Sequence, residues 1–499
     1  ARGGVLEGQR ADGHAVQGAD AACAACHRRS GLGAAEGNYV APPISGEYLR
    51  QPRITNGTHP DRAASSSAPQ RRPAYTLDSF ARALREGVGS DGVPLSALMP
   101  RYALADDEVA RLFEHLHAIG TAAVPGVDEQ SLQFATVVTP EAQPQARDAM
   151  LATLRQFFAE RNRIIAGTAR PITHTELGVK YRVTRSWTLH EWVLEGGPES
   201  WPAQLERLFA AQPVFAVVSG IGGAHWDPVH RFCEQRHLPC LFPNVDVPVV
   251  QEQGFYNLYF SRGVLLEADL FAAALRQSGA PPEGARLVQV VRHDSAGAAG
   301  AARLSALLAA AGWEVETREL ASGDRARAVQ QALRVPPDAR LVLWLPAADL
   351  AVLPPPPAGV QAWLAGSQAG IDVPPLPDAW KGISEISYAY ELPERRSVAM
   401  RLPEGWFHIN GIALTEPRVQ YQTFLACQIL SEGIGELHIS FQPDYLIERL
   451  EVMLSHRRLN ALYPRLSLGI GQRFASKGGY LVRIGPAAAL QADGDWRVP

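Results

Sequence analysis

From residue 132 onward, short apolar runs alternate with amphipathic helical stretches, and this rhythm restricts the fold more than any other feature of the chain. Strand-like runs fall at 132–138, 192–194, 214–219, 239–242, 287–291, 314–316 and 341–345. Helical patterns lie between them at 144–161, 201–211, 225–235, 265–277, 301–311 and 325–333. The run 214–219 is small or apolar at six consecutive positions, as expected of a strand covered on both faces. The alternation predicts parallel sheets covered by helices. Two successive cycles predict two similar lobes, the second starting near residue 280.

At 499 residues the chain exceeds one ordinary hydrophobic core, so further units are expected. Residues 121–131, Thr-Ala-Ala-Val-Pro-Gly-Val-Asp-Glu-Gln-Ser, read as a linker between a first domain, 1–120, and a second, 132–499. Hydrophobic residues make up 46% and charged residues 20%, as in ordinary globular proteins. The formal net charge of -4 offers neither a nucleic-acid footprint nor a polybasic membrane patch. No apolar run approaches the roughly 18–20 residues a membrane span requires, so no transmembrane segment is expected.

The first domain contains Cys23-Ala24-Ala25-Cys26-His27. This fits C-x-x-C-H, in which two thiols add to the vinyl groups of a haem and the adjacent histidine becomes the proximal iron ligand. A zinc half-site would want a second ligand pair nearby, but the next cysteine is Cys233. One covalent haem c is therefore expected, with iron held by His27. The four methionines are Met99, Met150, Met400 and Met453. Met99 precedes Pro100 on a loop ahead of an amphipathic helix carrying Val109, Leu112, Phe113, Leu116 and Ile119 on one face. Asp106, Asp107 and Glu108 suit that helix's start. Met99 is thus the expected sixth ligand, with His59, His115 and His117 as competitors. Met/His ligation leaves no open iron position for peroxidase or oxygenase chemistry.

Residues 1–120 resemble a class I monohaem cytochrome c, an all-α domain. The resemblance rests on Cys23–His27, Gly31-Leu32-Gly33, Ala41-Pro42-Pro43-Ile44, and Met99-Pro100 before the last helix. It implies that a carbonyl of Pro42 or Pro43 orients the His27 ring. It also implies that Arg101 and Tyr102 touch the haem edge or its propionates. A cytochrome c matures outside the cytoplasm, so a periplasmic protein is expected. The opening Ala1-Arg2-Gly3-Gly4 is not a signal peptide, and the expectation is that one was removed. The only lysines are Lys180, Lys381 and Lys477, so a redox partner docking near the haem would meet arginine or neutral residues.

Residues 132–490 resemble the type I periplasmic binding proteins of the branched-chain amino-acid receptor group. The likeness is carried by 217–225 (Val-Val-Ser-Gly-Ile-Gly-Gly-Ala-His), 239–244 (Pro-Cys-Leu-Phe-Pro-Asn), 259–263 (Tyr-Phe-Ser-Arg-Gly), 290–294 and 471–473. It implies a small-molecule ligand between the lobes, at the C-terminal ends of the strands. Candidate contacts are Ser219, Gly220, Gly222, Gly223, His225, Asn244 and Arg262. The glycine-rich turn 219–223 runs from strand to helix and offers backbone N–H groups to an anion, or is a plain tight turn. Where the family often has Tyr-Gly, this chain has Ser295-Ala296-Gly297, and the stretch Gly366-Ser367-Gln368-Ala369-Gly370 carries no acid to grip an ammonium.

Cys233 and Cys240 sit at a helix end and the next strand start, so a disulfide is expected in an oxidising compartment, with two buried thiols as the alternative. Cys427 is expected to be a core thiol. Trp187, Trp192, Trp226, Trp344, Trp363 and Trp380 would line an aromatic cleft or pack the core. His225, Trp226, Asp227 and His230 suggest metal or acid/base chemistry, against capping at a helix start.

No catalytic constellation is evident. The expected function is electron transfer by a periplasmic c-type cytochrome with a solute-binding-like domain, accepting electrons from a periplasmic dehydrogenase such as a quinone-dependent one. The alternative is a transporter-type solute receptor or sensor with a haem redox gate.

Overall fold

The structure is a computed structural model that describes residues 6–36, 39–55, 70–168, 185–250, 254–277, 287–321, 323, 326–337, 339–369, 374–437, 440–457, 459, 462–485 and 489–499. Two compact units emerge: Ala1–Val124 with Leu437–Arg449, and Pro125–Glu436 with Leu450–Pro499. Among the described residues, no helix is long and apolar enough to cross a membrane.

The first unit is mixed rather than all-α. Its helices are Cys23–His27, Gly46–Arg50, Leu77–Arg85 and Asp106–Ala118. Three antiparallel ribbons accompany them: Glu7–Gln9 with Ala15–Gln17, Ala34–Glu36 with Tyr39–Ala41, and Arg53–Thr55 with Gln70–Arg72. The helices are short, so much of the backbone lies outside them, and the ribbons supply its hydrogen bonds.

Thr76 caps the third helix through a reciprocal bond with Ser79, and the Glu108 carboxylate accepts from the Ala105 N–H at the start of the fourth. Val16, Ala21, Leu49, Phe80, Leu84, Tyr102, Val109 and Leu116 form the core. The second helix meets the fourth so closely that a Cβ on Gly46 would lie 2.2 Å from the His117 carbonyl oxygen. From residues 437–449, Glu448 accepts the Ser30 backbone N–H at 2.9 Å and its hydroxyl at 2.6 Å.

The second unit is built on two sheets. In the first, Ser131–Val138 pairs in parallel with Ser186–Val193 and Ala216–Val218, and Cys240–Leu241 and Asn257–Leu258 extend the sheet beyond. Ile221–Gly222 and Asn244–Val245 complete its other side. The second sheet runs Val315–Leu320, Leu287–Arg292, Arg340–Trp344, Gln361–Leu364 and Ser384–Tyr388, all parallel, then Tyr480–Ile484 and Leu490–Ala492, both antiparallel. The alternation read from the sequence is therefore present, with an antiparallel edge added by the chain's last residues.

Packing explains the apolar runs. Phe134, Val137, Val217 and Leu241 are at most 1% exposed, because helices cover the sheet. In the second lobe, Trp344 is wholly buried and its indole N–H donates to Gln289 Oε1 at 2.8 Å. The helix Ala296–Ala309 approaches this ring through Gly297 and Gly300, where a Cβ would lie 2.8 Å and 2.5 Å from Trp344 atoms. Burying a side chain of this size contributes on the order of 2–3 kcal/mol, and the two glycines make the approach possible.

Candidate functional site

The glycine-rich turn is not an open anion site. The Glu141 carboxylate already accepts from the backbone N–H of Gly223 at 3.1 Å and of His225 at 3.2 Å, and it also pairs with the His225 imidazole. Gly220 and Gly222 lie against the Trp226 indole, where added Cβ atoms would collide at 2.6 Å and 3.0 Å. Ser219, at φ 48°, is wholly buried. Its hydroxyl donates to Thr423 Oγ1 at 2.9 Å and accepts from Asn244 Nδ2 at 3.0 Å. Ser219 and Asn244 thus tie two strand ends to the helix Pro417–Gly435. Arg262 pairs with Asp269 at 2.6 Å, and Asp269 also holds Arg303. Ser219, Asn244 and Arg262 serve the frame around a site, while the His225 side chain, 62% exposed, is held by Glu141.

The cavity itself lies beside them. It encloses about 40 Å³ and is lined by residues flanking those expected, Pro243, Val245 and Gly263, together with Asp246, Glu267, Tyr390, Arg418 and Tyr463. Arg418, at the start of the helix Pro417–Gly435, donates from Nη2 to Asp246 Oδ1 at 3.3 Å. Burial works against the guanidinium charge, but Tyr390, Asp246 and Tyr463 around it outweigh that and hold its pKa above the ordinary arginine value. Phe260, Tyr463 and Tyr390 form a ring series with centroids 5.4 Å and 5.6 Å apart.

Glu267 enters from the helix Val264–Gln277. It accepts from Ser367 N at 2.8 Å, Ser367 Oγ at 2.6 Å and Ser387 Oγ at 2.6 Å. Burial pushes its carboxyl above the ordinary range despite these bonds. The stretch from Gly366 has no acid of its own, as read from the sequence, but it receives this one from another element. Glu267, Tyr390, Arg418 and Tyr463 were missed. Only Glu267 left a signal, as an acid inside the apolar run 264–272.

Several expectations change. Cys233 and Cys240 are two unbridged thiols, both fully buried beside each other in the first-lobe core. Their thiols hydrogen-bond, and burial raises the Cys233 pKa, with Cys240 adding to it. Cys427 is buried as expected. The six tryptophans are at most 7% exposed and none lines the cavity, so packing is their role. His230 is buried against Tyr259, 2.8 Å from its hydroxyl, while Asp227 pairs with Arg231. Among the described residues, no group of three or more His, Cys, Asp or Glu could hold a metal ion.

In the first unit, Cys23 to His27 form one short helix. His27 Nδ1 donates to the Pro42 carbonyl oxygen at 2.7 Å, which selects Pro42 over Pro43 as the orienting residue. Burial lowers the imidazole pKa, with the Pro42 bond opposing. A neutral ring donating from Nδ1 presents Nε2 as a lone pair, the form an iron ligand requires. Met99 is half-buried against the apolar core, and Arg101 Nη1 donates to its carbonyl at 2.5 Å. Arg101 therefore holds the Met99 loop, its guanidinium lying against the bare Cα of Gly87.

Tyr102 donates to the Ala21 carbonyl at 2.7 Å, and burial, with Cys23 and Cys26 close by, pushes its pKa up to about 12. His115 is exposed, and the His117 ring packs tilted against Phe113, centroids 4.0 Å apart. His59 lies outside the described residues. These residues would hold a covalent haem: Cys23 and Cys26 through thioethers, His27 through Nε2, and Met99 through its sulfur.

The chain matches no known family model and no curated protein. It is similar in structure to a branched-chain amino-acid ABC transporter protein from Thermus thermophilus with bound valine: 11% identity, 74% of this chain and 97% of that one, TM-score 0.54. A fatty-acid ABC transporter substrate-binding protein from Thermomonospora curvata matches at 12% identity over 76% of this chain and 95% of its own, TM-score 0.51. A possible leucine/isoleucine/valine-binding protein from Rhodopirellula baltica matches at 16% identity over 75% and 98%, TM-score 0.50. At these identities the likeness shows fold: the second unit is built as a type I periplasmic binding protein.

Proposed function

We propose that the chain is an exported solute-binding protein whose first unit carries one covalent haem c. The observation that carries the binding role is the cavity at Arg418, set where strand ends of the first sheet, at Pro243 and Val245, face strand ends of the second, at Ser367 and Tyr390. Its position is the one in which this fold places ligands, and valine is bound in the Thermus thermophilus neighbour. A ligand that binds only the folded chain raises its melting temperature. A screen of amino acids, carboxylic acids and alcohols with no shift at millimolar concentration sinks the binding role.

A second reading, electron transfer, is favoured by the His27–Pro42 bond, which prepares an imidazole for iron beside two thiols on one helix turn. When bound, the haem would supply a one-electron couple, with His27 and Met99 as its iron ligands and Arg101 holding the Met99 loop. A periplasmic dehydrogenase, such as a quinone-dependent one, is the electron donor in this reading. The mature protein from cells with cytochrome maturation should be coloured and heavier than its polypeptide by one haem. A colourless protein of bare mass removes this reading, and anaerobic titration against a dehydrogenase that leaves the haem oxidised removes that partner.

A further inference from the structure

We infer that the cavity at Arg418 takes a small carboxylate without an ammonium group, its anion held by Arg418 in exchange for Asp246. The inference rests on the between-lobe binding role and names its ligand class.

Three observations converge on this class. Among the described residues lining the cavity Arg418 is the single cation, and Glu141 occupies the Gly223 and His225 N–H groups of the glycine-rich turn. An anionic ligand therefore has one receptor, a planar fork suited to a carboxylate. Besides Tyr390, the fork's charged partner is weakly held: Asp246 makes a 3.3 Å bond and its side chain is 42% exposed, so it can turn to water at little cost.

An ammonium, in contrast, finds no ready acceptor. Asp246, its side chain 42% exposed, is satisfied by water once displaced, while Glu267 already takes three hydrogen bonds from Ser367 and Ser387 at 2.6–2.8 Å. Bringing a cation there would also require an ionised carboxylate where burial opposes one. The rest of the ligand meets Phe260, Tyr390 and Tyr463, an apolar wall around a space of about 40 Å³. That space admits a short chain or a single ring edge, not a bulky or highly hydrated solute.

The probes are 3-methylbutanoate, L-valine and 3-methylbutan-1-ol, which share a carbon skeleton and differ in charge. On the full chain, calorimetric titration should show saturable binding of 3-methylbutanoate and at least roughly tenfold weaker binding of valine and the alcohol. Arg418→Gln should weaken carboxylate binding roughly tenfold or more. Should that variant fail to fold, Asp246→Asn gives the opposite and independent readout: with its competitor neutralised, Arg418 should bind 3-methylbutanoate several-fold more tightly.

Valine or the alcohol binding as well as the carboxylate overturns the ligand class, as does carboxylate binding that Arg418→Gln leaves unchanged or Asp246→Asn weakens. Ala389→Leu, which fills the cavity, separates the two levels. If a different probe binds and this variant abolishes it, the class falls while the binding role stands. Binding of every probe that survives Ala389→Leu, or no binding of any probe, overturns both.

Discussion

His27 Nδ1 and the Pro42 carbonyl oxygen lie 2.7 Å apart, so the histidine of the C-x-x-C-H motif has its outer nitrogen committed before any iron is considered. The bond makes Nε2 the acceptor and fixes the plane of the ring, the two properties a proximal ligand needs. Arg101 holds the Met99 carbonyl, leaving the thioether as the part of Met99 that ligation would use.

If Met99 is the sixth ligand, Met99→His exchanges a soft sulfur for a nitrogen and should lower the midpoint potential. A fall on the order of 0.1 V or more is expected, within the roughly 0.8 V that axial ligands span. Potentiometric titration of the two proteins reads it directly. An unchanged potential would assign the sixth position to another residue.

Glu267 gives the second unit a pH dependence of definite sign. Its folded pKa is raised, chiefly by burial, above the ordinary value of 4.5. A raised carboxyl contributes stability that is fully present below 4.5 and is lost as pH rises through the folded value. Thermal unfolding of the wild type should therefore lose ground relative to Glu267→Gln as pH rises from about 4.5 towards neutrality. Parallel curves for the two proteins would contradict the raised carboxyl.

Thr423 is the point at which the helix Pro417–Gly435 meets the ends of two strands, receiving bonds from Ser219 at 2.9 Å and Asn244 at 3.2 Å. Thr423→Val keeps the shape and removes the acceptor, leaving buried donors unpaired. A loss of roughly 1–3 kcal/mol in urea unfolding is expected. A neutral substitution would mean that water or another group replaces the hydroxyl.

Gly300 is required by Trp344, since a Cβ there would sit 2.5 Å from the indole. Gly300→Ala should cost about 1–3 kcal/mol through overpacking. The matched substitution Gly405→Ala, where a Cβ meets nothing within 4 Å, should not. Equal effects at both positions would show that the tryptophan contact does not set the cost, since helix propensity by itself favours alanine at both.

Cys233 and Cys240 should resist iodoacetamide in the native protein, because the thiolate is the reactive form and both residues are 0% exposed. After denaturation without reductant, both should alkylate. Protection that persists in the unfolded chain would mean a disulfide.

The α/β rhythm was legible because a strand covered on both faces must be apolar at nearly every position, and segments such as 214–219 cannot hide that. The C-x-x-C-H motif was legible because its two thiols and imidazole fall within five consecutive residues. The ribbons of the first unit were not legible: they pair short segments whose only shared property is unpaired backbone. Nor was the engagement of the glycine-rich turn, since Glu141 closes it from 82 residues away.

By itself, then, the sequence determined what local chemistry and periodicity encode: parallel layers, a C-x-x-C-H helix, and a sulfur on a Pro-flanked loop. Only the tertiary structure decided which groups share a cavity. Arg418, Glu267, Tyr390 and Tyr463 come from separate parts of the chain, and Ser219 and Asn244 are turned into the frame by Thr423, 204 and 179 residues away, as Arg262 is by Asp269. A side chain's availability depends on what else is packed against it, and that information exists only once the chain has folded.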